Sequence, residues 1–183
     1  MTVTPDLDAR FRAHAVREGL VDVRYDVVDA PIGPLLVAAT DRGLCRISFT
    51  PEGADDVLAR TFGNRVLRVP LDDVRRELDE YFEGRRTVFD LPLDLRVAPF
   101  HEAVLNELAL VPYGHTATYG GLAAKVGRPR AARAVGTVMN RNPIPIVLPC
   151  HRIVGFNGSL TGYGGGLHVK RALLELEGAL LPS

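Results

Sequence analysis

The sequence predicts an α+β protein of two domains, 1–97 and 98–183, the first an α/β unit with a small antiparallel sheet and the second mostly helical. Three observations carry this expectation. Short β-branched and aliphatic runs cluster before residue 97, helical-period apolar patterns take over from Pro99, and charge divides along the chain. Residues 1–114 hold 14 Lys and Arg against 20 Asp and Glu, and residues 115–183 hold 8 against 2, so a net charge of zero separates into about −6 and +6. A basic segment of this kind suits a polyanionic partner, although opposite charges on two halves also serve simply to draw them together.

Leu7, Phe11, Ala15 and Val16 recur at helical spacing, which predicts a helix over 6–18 ending at Gly19. From Val21 the period changes. Residues 24–28, 35–39 and 44–49 read as strands, with Asp41-Arg42-Gly43 as the turn between the last two. Helices follow over 52–62 and 71–82, the second with apolar residues at 71, 74, 78, 81 and 82 and a stop at Gly84; a strand over 65–69 separates them. Residues 89–95 return to extended chain interrupted by Pro92. Nothing in 1–97 announces chemistry. Cys45 reads as a small buried apolar group on a strand, and His14 has no second candidate ligand near it, so this half is expected to be scaffold without a metal site.

The second half opens with Pro99 at a first-turn position and Phe100, Val104, Leu105 and Leu108 on one face, predicting a helix over 99–110. A turn at Val111-Pro112-Tyr113-Gly114 leads to Thr118, a suitable N-cap for a short helix over 119–126. Gly127-Arg128-Pro129 is the next turn and 130–139 the next helix. Two short helices joined through glycine make a helix-turn-helix pattern. The second carries Arg130 and Arg133 among Ala131, Ala132 and Ala134. Such small side chains permit close approach either to the rest of the protein or to a groove, and the residues alone leave that choice open.

Length and composition narrow the class. With 183 residues, 46% hydrophobic, the chain can bury a full core. It lacks the run of about eighteen apolar residues that a membrane span needs. Asp6, Asp8 and Arg10 interrupt any signal-peptide core, so a cytoplasmic location without membrane association is expected. The two cysteines, Cys45 and Cys150, lie in unlike contexts and form no Cys-x-x-Cys pair, which argues against a disulfide framework or structural zinc and for a reducing compartment.

Function turns on the stretch 142–154, Asn142-Pro143-Ile144-Pro145-Ile146-Val147-Leu148-Pro149-Cys150-His151-Arg152-Ile153-Val154. Its prolines and apolar residues predict an extended, buried approach that delivers one thiol to a fixed place. His151 can hold an acceptor nitrogen near the sulfur, directly or through one water, and it is the thiolate that attacks electrophiles. A Cys-His pair met at random is more often a small buried hydrophobe beside a satisfied core histidine. Here the surroundings decide.

Asn142-Pro143, Pro149-Cys150-His151-Arg152, Gly155, Gly158, Thr161-Gly162-Tyr163, Gly165-Gly166, Lys170, Leu173-Leu174 and Glu177-Gly178 stand in one register. In these residues the chain resembles the O6-alkylguanine-DNA alkyltransferases, also called methylated-DNA-protein-cysteine methyltransferases, and fainter similarity extends through most of the rest. The resemblance implies a ribonuclease-H-like N-terminal fold. It implies a C-terminal domain that binds double-stranded DNA and, with no cofactor, takes the alkyl group of O6-alkylguanine irreversibly onto Cys150. Ala131-Ala132-Arg133-Ala134-Val135-Gly136 would be the recognition helix in the minor groove, with Arg133 filling the space of an extruded nucleotide. Arg130, Arg128, Lys125 and Arg141 would contact phosphates. Extrusion is also a steric need, because a stacked duplex hides the guanine oxygen from a protein thiol.

By the same resemblance His151 would relay the thiol proton through water, Glu177 would steady the imidazole, Tyr119 would donate to the departing base, and Asn142 would brace the active-site turn. Tyr163, Gly164, Gly165, Val154, Asn157 and Pro145 would wall the pocket, the glycines letting backbone approach the base. Gly164 departs from the serine or alanine of many relatives, so a side-chain contact to the guanine oxygen there must come from backbone instead. Lys170 reads as a structural residue of the last helix. A thioether has no leaving group that water can displace, so one molecule would repair one lesion. A monomer is expected; cooperative binding on DNA and acceptance of O4-alkylthymine are left open by these residues.

Two other classes fit parts of the pattern. A cysteine hydrolase using Cys150 and His151 would turn over repeatedly, where the transferase gains mass once on one peptide. A non-enzymatic, alkyltransferase-like module that senses lesions would lack the acceptor cysteine, and Cys150 is present in register.

Overall fold

The alternating runs after Val21 form a four-stranded sheet in the order β3-β2-β1-β4, from β1 (Val23–Val28), β2 (Leu35–Thr40), β3 (Gly43–Ser48) and β4 (Val66–Arg68). The structure is a computed structural model that describes residues 4–50 and 52–181. β1, β2 and β3 pair antiparallel, but β4 joins the edge parallel to β1, so the sheet is mixed rather than antiparallel throughout. The cause is the helix between them, α2 (Ala54–Phe62): a crossover helix brings the chain back to the end of the sheet from which β3 started, and the next strand runs the same way.

β2 is buried along its whole length because both faces of the sheet are covered. Leu35, Val37 and Ala39 join Leu44 and Ile47 in the main core, while Leu36 and Ala38 pack with Val23, Cys45 and Leu58 on the opposite face. The β2–β3 register shifts between Ala38 and Ala39 and passes over Cys45, whose thiol donates to the Ala38 carbonyl at 3.3 Å. The 89–95 segment is extended, as the sequence suggests, but touches β3 through one bridge, Leu44 to Leu93. Gly43 permits that approach: at φ 139°, a Cβ there would lie 2.2 Å from the Pro92 oxygen.

Two further helices complete this half, α1 (Pro5–Arg17), capped by Thr4, and α3 (Asp72–Phe82), which buries Val74, Glu77, Leu78 and Tyr81 on one stripe. The second half is helical, with α4 (Pro99–Ala109), α5 (Tyr119–Lys125), α6 (Ala132–Asn140) and α7 (Leu167–Leu176). A short parallel pair, β5 (Ala117–Thr118) with β6 (Ile153–Val154), ties the start of α5 to the chain just after Cys150. Thr118 caps α5, its hydroxyl accepting from Gly121 N at 3.0 Å. α6 starts later than the sequence suggests: Ala131 N donates to Arg128 O at 2.8 Å, closing a turn with Pro129 inside it, and Arg130 and Ala131 lie ahead of the helix. One hydrophobic cluster runs from Leu35 and Leu78 through Leu105 and Leu108 to Ile144 and Leu173, so the two halves share a core. No helix among the described residues is long and apolar enough to cross a membrane.

Candidate active site

Cys150 begins a 3-10 turn, Cys150–Arg152, and the chain leading to it is not the straight extended run expected from its prolines. It closes on itself instead. Leu148 N donates to Ile144 O at 2.9 Å, and Cys150 N donates to Leu148 O at 2.8 Å. Asn142 clasps both ends of this loop, accepting from Ile144 N at 3.1 Å and donating to Leu148 O at 2.7 Å. The closure forces fully buried Ile146 to φ 76°, a region that β-branched residues avoid and hold only where the surroundings over-determine it. From the first half, Ile47 N donates to Pro143 O at 2.9 Å and fixes the loop against β3.

Behind the cysteine, Glu177 follows α7 and is buried with its charge shared among several donors. Arg152 binds it through two nitrogens, Nε to Oε2 and Nη2 to Oε1, each at 2.9 Å, and a third, Nη1, reaches Val111 O at 2.6 Å. Gly114 N donates to Oε2 at 3.3 Å. His151 Nε2 lies 2.8 Å from Oε1, and Tyr81 donates its hydroxyl to that same oxygen at 2.7 Å. Burial would raise the carboxyl, but the hydrogen bonds and charges of His151 and Arg152 outweigh it and hold the group down at about 2. A carboxylate has no hydrogen to give, so Nε2 carries the imidazole proton and Nδ1 is the acceptor. Nδ1 is buried and has no hydrogen-bond partner among the described residues. Burial, offset in part by Glu177, lowers the His151 pKa and favours the neutral ring.

Burial pushes the Cys150 thiol up to about 11, while Asn142, the Lys170 charge and nearby backbone N–H groups pull the other way. The resting group is therefore a thiol, and a base must take its proton before it can attack. Lys170 is fully buried and donates to Ile153 O at 2.5 Å and Thr161 O at 3.0 Å, pinning β6 to the glycine-rich loop, the structural role read from sequence.

A cavity of about 140 Å³ opens onto Cys150. Asn142, Pro145, Tyr163 and Gly164 line it with the cysteine, whereas Val154 is buried in β6 and exposed Asn157 serves the loop's own turn by accepting from Ser159 N. Gly165 sits against Phe49, so a Cβ there would approach that ring to 3.0 Å. The Tyr163 hydroxyl is buried without a hydrogen-bond partner among the described residues. Tyr119, at the start of α5, has its oxygen accepting from Thr161 Oγ1 at 3.0 Å, and its ring faces Gly136 on α6, where a Cβ would fall at an ordinary contact distance of 3.9 Å.

Lys125, Arg128, Arg130, Arg133, Ala134 and Arg141 are exposed around α5 and α6, and Ala131, Ala132 and Gly136 are half-buried. Arg128 also stacks on the Phe100 ring at 5.0 Å. α6 turns Val135, Val138 and Met139 inward, so its arginine-bearing face is the free one.

Sequence reasoning missed the contribution of residues 1–97. Ser48 and Phe49 wall the cavity and Tyr81 reaches Glu177. Tyr81 did carry a signal, a phenol on an otherwise apolar helical stripe, which needs a partner once buried. Arg152 was seen only as part of a motif, and its grip on Glu177 required the fold.

Two family models match this chain: the ribonuclease-like domain of 6-O-methylguanine DNA methyltransferase over residues 23–95, and the DNA-binding domain of the same proteins over 99–179. A methylated-DNA–protein-cysteine methyltransferase from Methanosarcina barkeri is 40% identical over 162 residues, covering 84% of this chain and 96% of its own. One from Mycobacterium tuberculosis is 41% identical over 166 residues, covering 88% and 96%. Among solved structures, M. tuberculosis O6-methylguanine methyltransferase superimposes with a TM-score of 0.77 at 40% identity, covering 88% of this chain and 96% of that one. M. tuberculosis OGT in complex with DNA gives 0.76 at 42% identity, covering 85% and 93%. With both halves matched to one kind of enzyme, the chain belongs to the 6-O-methylguanine DNA methyltransferases, the methylated-DNA–protein-cysteine methyltransferase family of DNA repair.

Proposed function

We propose that this protein repairs duplex DNA by transferring the alkyl group of O6-alkylguanine to Cys150, once and irreversibly, with no cofactor. The observation that carries the reading is the Nδ1 of His151, buried and without a partner among the described residues, whose other nitrogen is committed to Glu177, on the residue next to the thiol. That nitrogen takes the Cys150 proton, through one water, as the sulfur attacks the alkyl carbon. The carbon–oxygen bond breaks, its electron pair goes to the guanine, and the Tyr119 hydroxyl supplies a hydrogen bond and then a proton to the departing base. Thr161 donates to the Tyr119 oxygen, which leaves the phenolic hydrogen free for that use.

The base reaches the cavity only after rotating out of the stack. α6 enters the minor groove, Arg133 occupies the gap, and Lys125, Arg128, Arg130 and Arg141 hold phosphates without reading sequence, as repair of any sequence requires. Ala131, Ala132, Ala134 and Gly136 keep that approach close. Pro145, Tyr163 and Gly164 wall the flipped base, with Gly165 holding their loop against Phe49 and the Asn142 clasp keeping Cys150 at the cavity. The unit at work is 98–183, the first domain supporting it, in a reducing cytoplasm that keeps the thiol free.

The test is stoichiometry. A duplex with one O6-methylguanine, in excess over protein, loses methyl groups until one per protein molecule has moved, and Cys150→Ser binds the duplex but moves none. Continued turnover beyond one equivalent sinks the acceptor reading in favour of a hydrolase.

A further inference from the structure

One side chain from the first half reaches the Glu177 carboxylate. Tyr81 lies on the buried stripe of α3, is 0% exposed, and donates to Oε1, the oxygen that also accepts from His151 and Arg152. Its ring is held by Phe82 and Phe89, with centroids at 5.2 and 5.4 Å, and by Tyr113 of the second half at 6.1 Å. Phenylalanine would fill this aromatic nest equally well. A hydroxyl buried there costs free energy unless it is hydrogen-bonded, and the partner it has is the carboxylate of the site.

We propose that Tyr81 is a positioning residue for alkyl transfer, holding Glu177 Oε1 against His151 Nε2 and drawing off part of the carboxylate's charge. The inference rests on the reading of Cys150 as acceptor and His151 as its base. Three donors divide the charge on Oε1. Without the hydroxyl, more of it acts on His151, the protonated ring is stabilised, and a ring that already carries its second proton cannot take one from the thiol. The other charged or titratable groups facing His151 are Arg152 on the 3-10 turn, Lys170 on α7, Tyr163 with its ring at 6.4 Å, and the adjoining Cys150; around Tyr81 they are Arg152 and Tyr113. Tyr81→Phe alters none of these directly.

The experiment follows alkyl transfer from a free benzylated guanine to the full-length protein, by intact mass, from about pH 5 to pH 9, spanning histidine titration. Wild type is compared with Tyr81→Phe, with Phe89→Leu, and with 3-fluorotyrosine at position 81, a stronger hydrogen-bond donor. Tyr81→Phe should slow transfer by about three-fold on the acid side of the profile, with a smaller loss at neutral pH. It should also move the acid limb of the rate profile up by about half a unit. The fluorinated protein should move the limb down, and Phe89→Leu should lower the melting temperature with the limb in place.

A Tyr81→Phe profile that superimposes on wild type overturns the proposal, as does an equal shift with Phe89→Leu. Should Tyr81→Phe not fold, the fluorinated protein decides, and an unmoved limb there is contrary evidence. Wild type that accepts no benzyl group refutes the reading of Cys150 itself; wild type that reacts with an insensitive profile refutes only the role of Tyr81.

Discussion

Cys45 and Cys150 are both buried, 1% and 5% exposed, and burial raises both thiols, the first to about 12 and the second to about 11. What separates them is what lies within reach. Cys45 faces Val23, Leu36, Ala38 and Leu58, and its hydrogen is spent on a backbone carbonyl. Cys150 adjoins a histidine of fixed tautomer, a buried lysine and a cavity open to a ligand. Burial alone keeps a thiol protonated and inert; the proposed transfer needs burial beside an acceptor nitrogen, which Cys150 has in His151 and Cys45 lacks among the described residues.

Replacing each cysteine by serine should separate the two thiols most clearly. Cys150→Ser should abolish transfer outright, while Cys45→Ser should retain it; the check is demethylation of an O6-methylguanine duplex. Next in size is Glu177→Gln, which leaves Arg152 buried without its counter-charge. It should cost about 3–5 kcal/mol in denaturant unfolding, as other broken buried pairs do, and slow transfer through loss of the His151 tautomer.

The same carboxylate sets an acid limit. Its folded value near 2 lies below the 4.5 of the free group, so it contributes stability that is complete above about pH 4.5 and lost as pH falls through about 2. Melting temperatures across that window should fall for wild type and less steeply for Glu177→Gln. Arg133→Ala sharpens the account on the DNA side: repair of a duplex should slow by about ten-fold or more, and reaction with a free base should not change. Equal slowing of both would remove Arg133 from extrusion. The smallest effect is expected of Cys45→Ala, about 1–2 kcal/mol of stability from a small void, with transfer rates intact.

Local chemistry wrote much of this into the chain. The Thr118 cap, the strand runs and the stripe on α3 obey short-range rules and are found where those rules place them. The parallel placement of β4 and the pairing of β5 with β6 depend on crossovers, which no local pattern encodes. The Asn142–Cys150 loop misleads for a different reason: proline restricts φ and favours extended neighbours, yet Asn142 and backbone closure bend the run and leave Ile146 in the left-handed region. In the site, the Cys-His step and Glu177 stood out by register. Tyr81 and Phe49 did not, because their approach to it spans the core shared by both halves.

The central claim is most directly tested by exposing the full-length protein to a benzylated guanine and measuring intact mass, followed by peptide mapping. The account predicts one benzyl group per molecule, on the peptide containing Cys150, with Cys45 unmodified and no loss of the adduct on standing. Folded protein left unmodified, or an adduct that water removes, would contradict it.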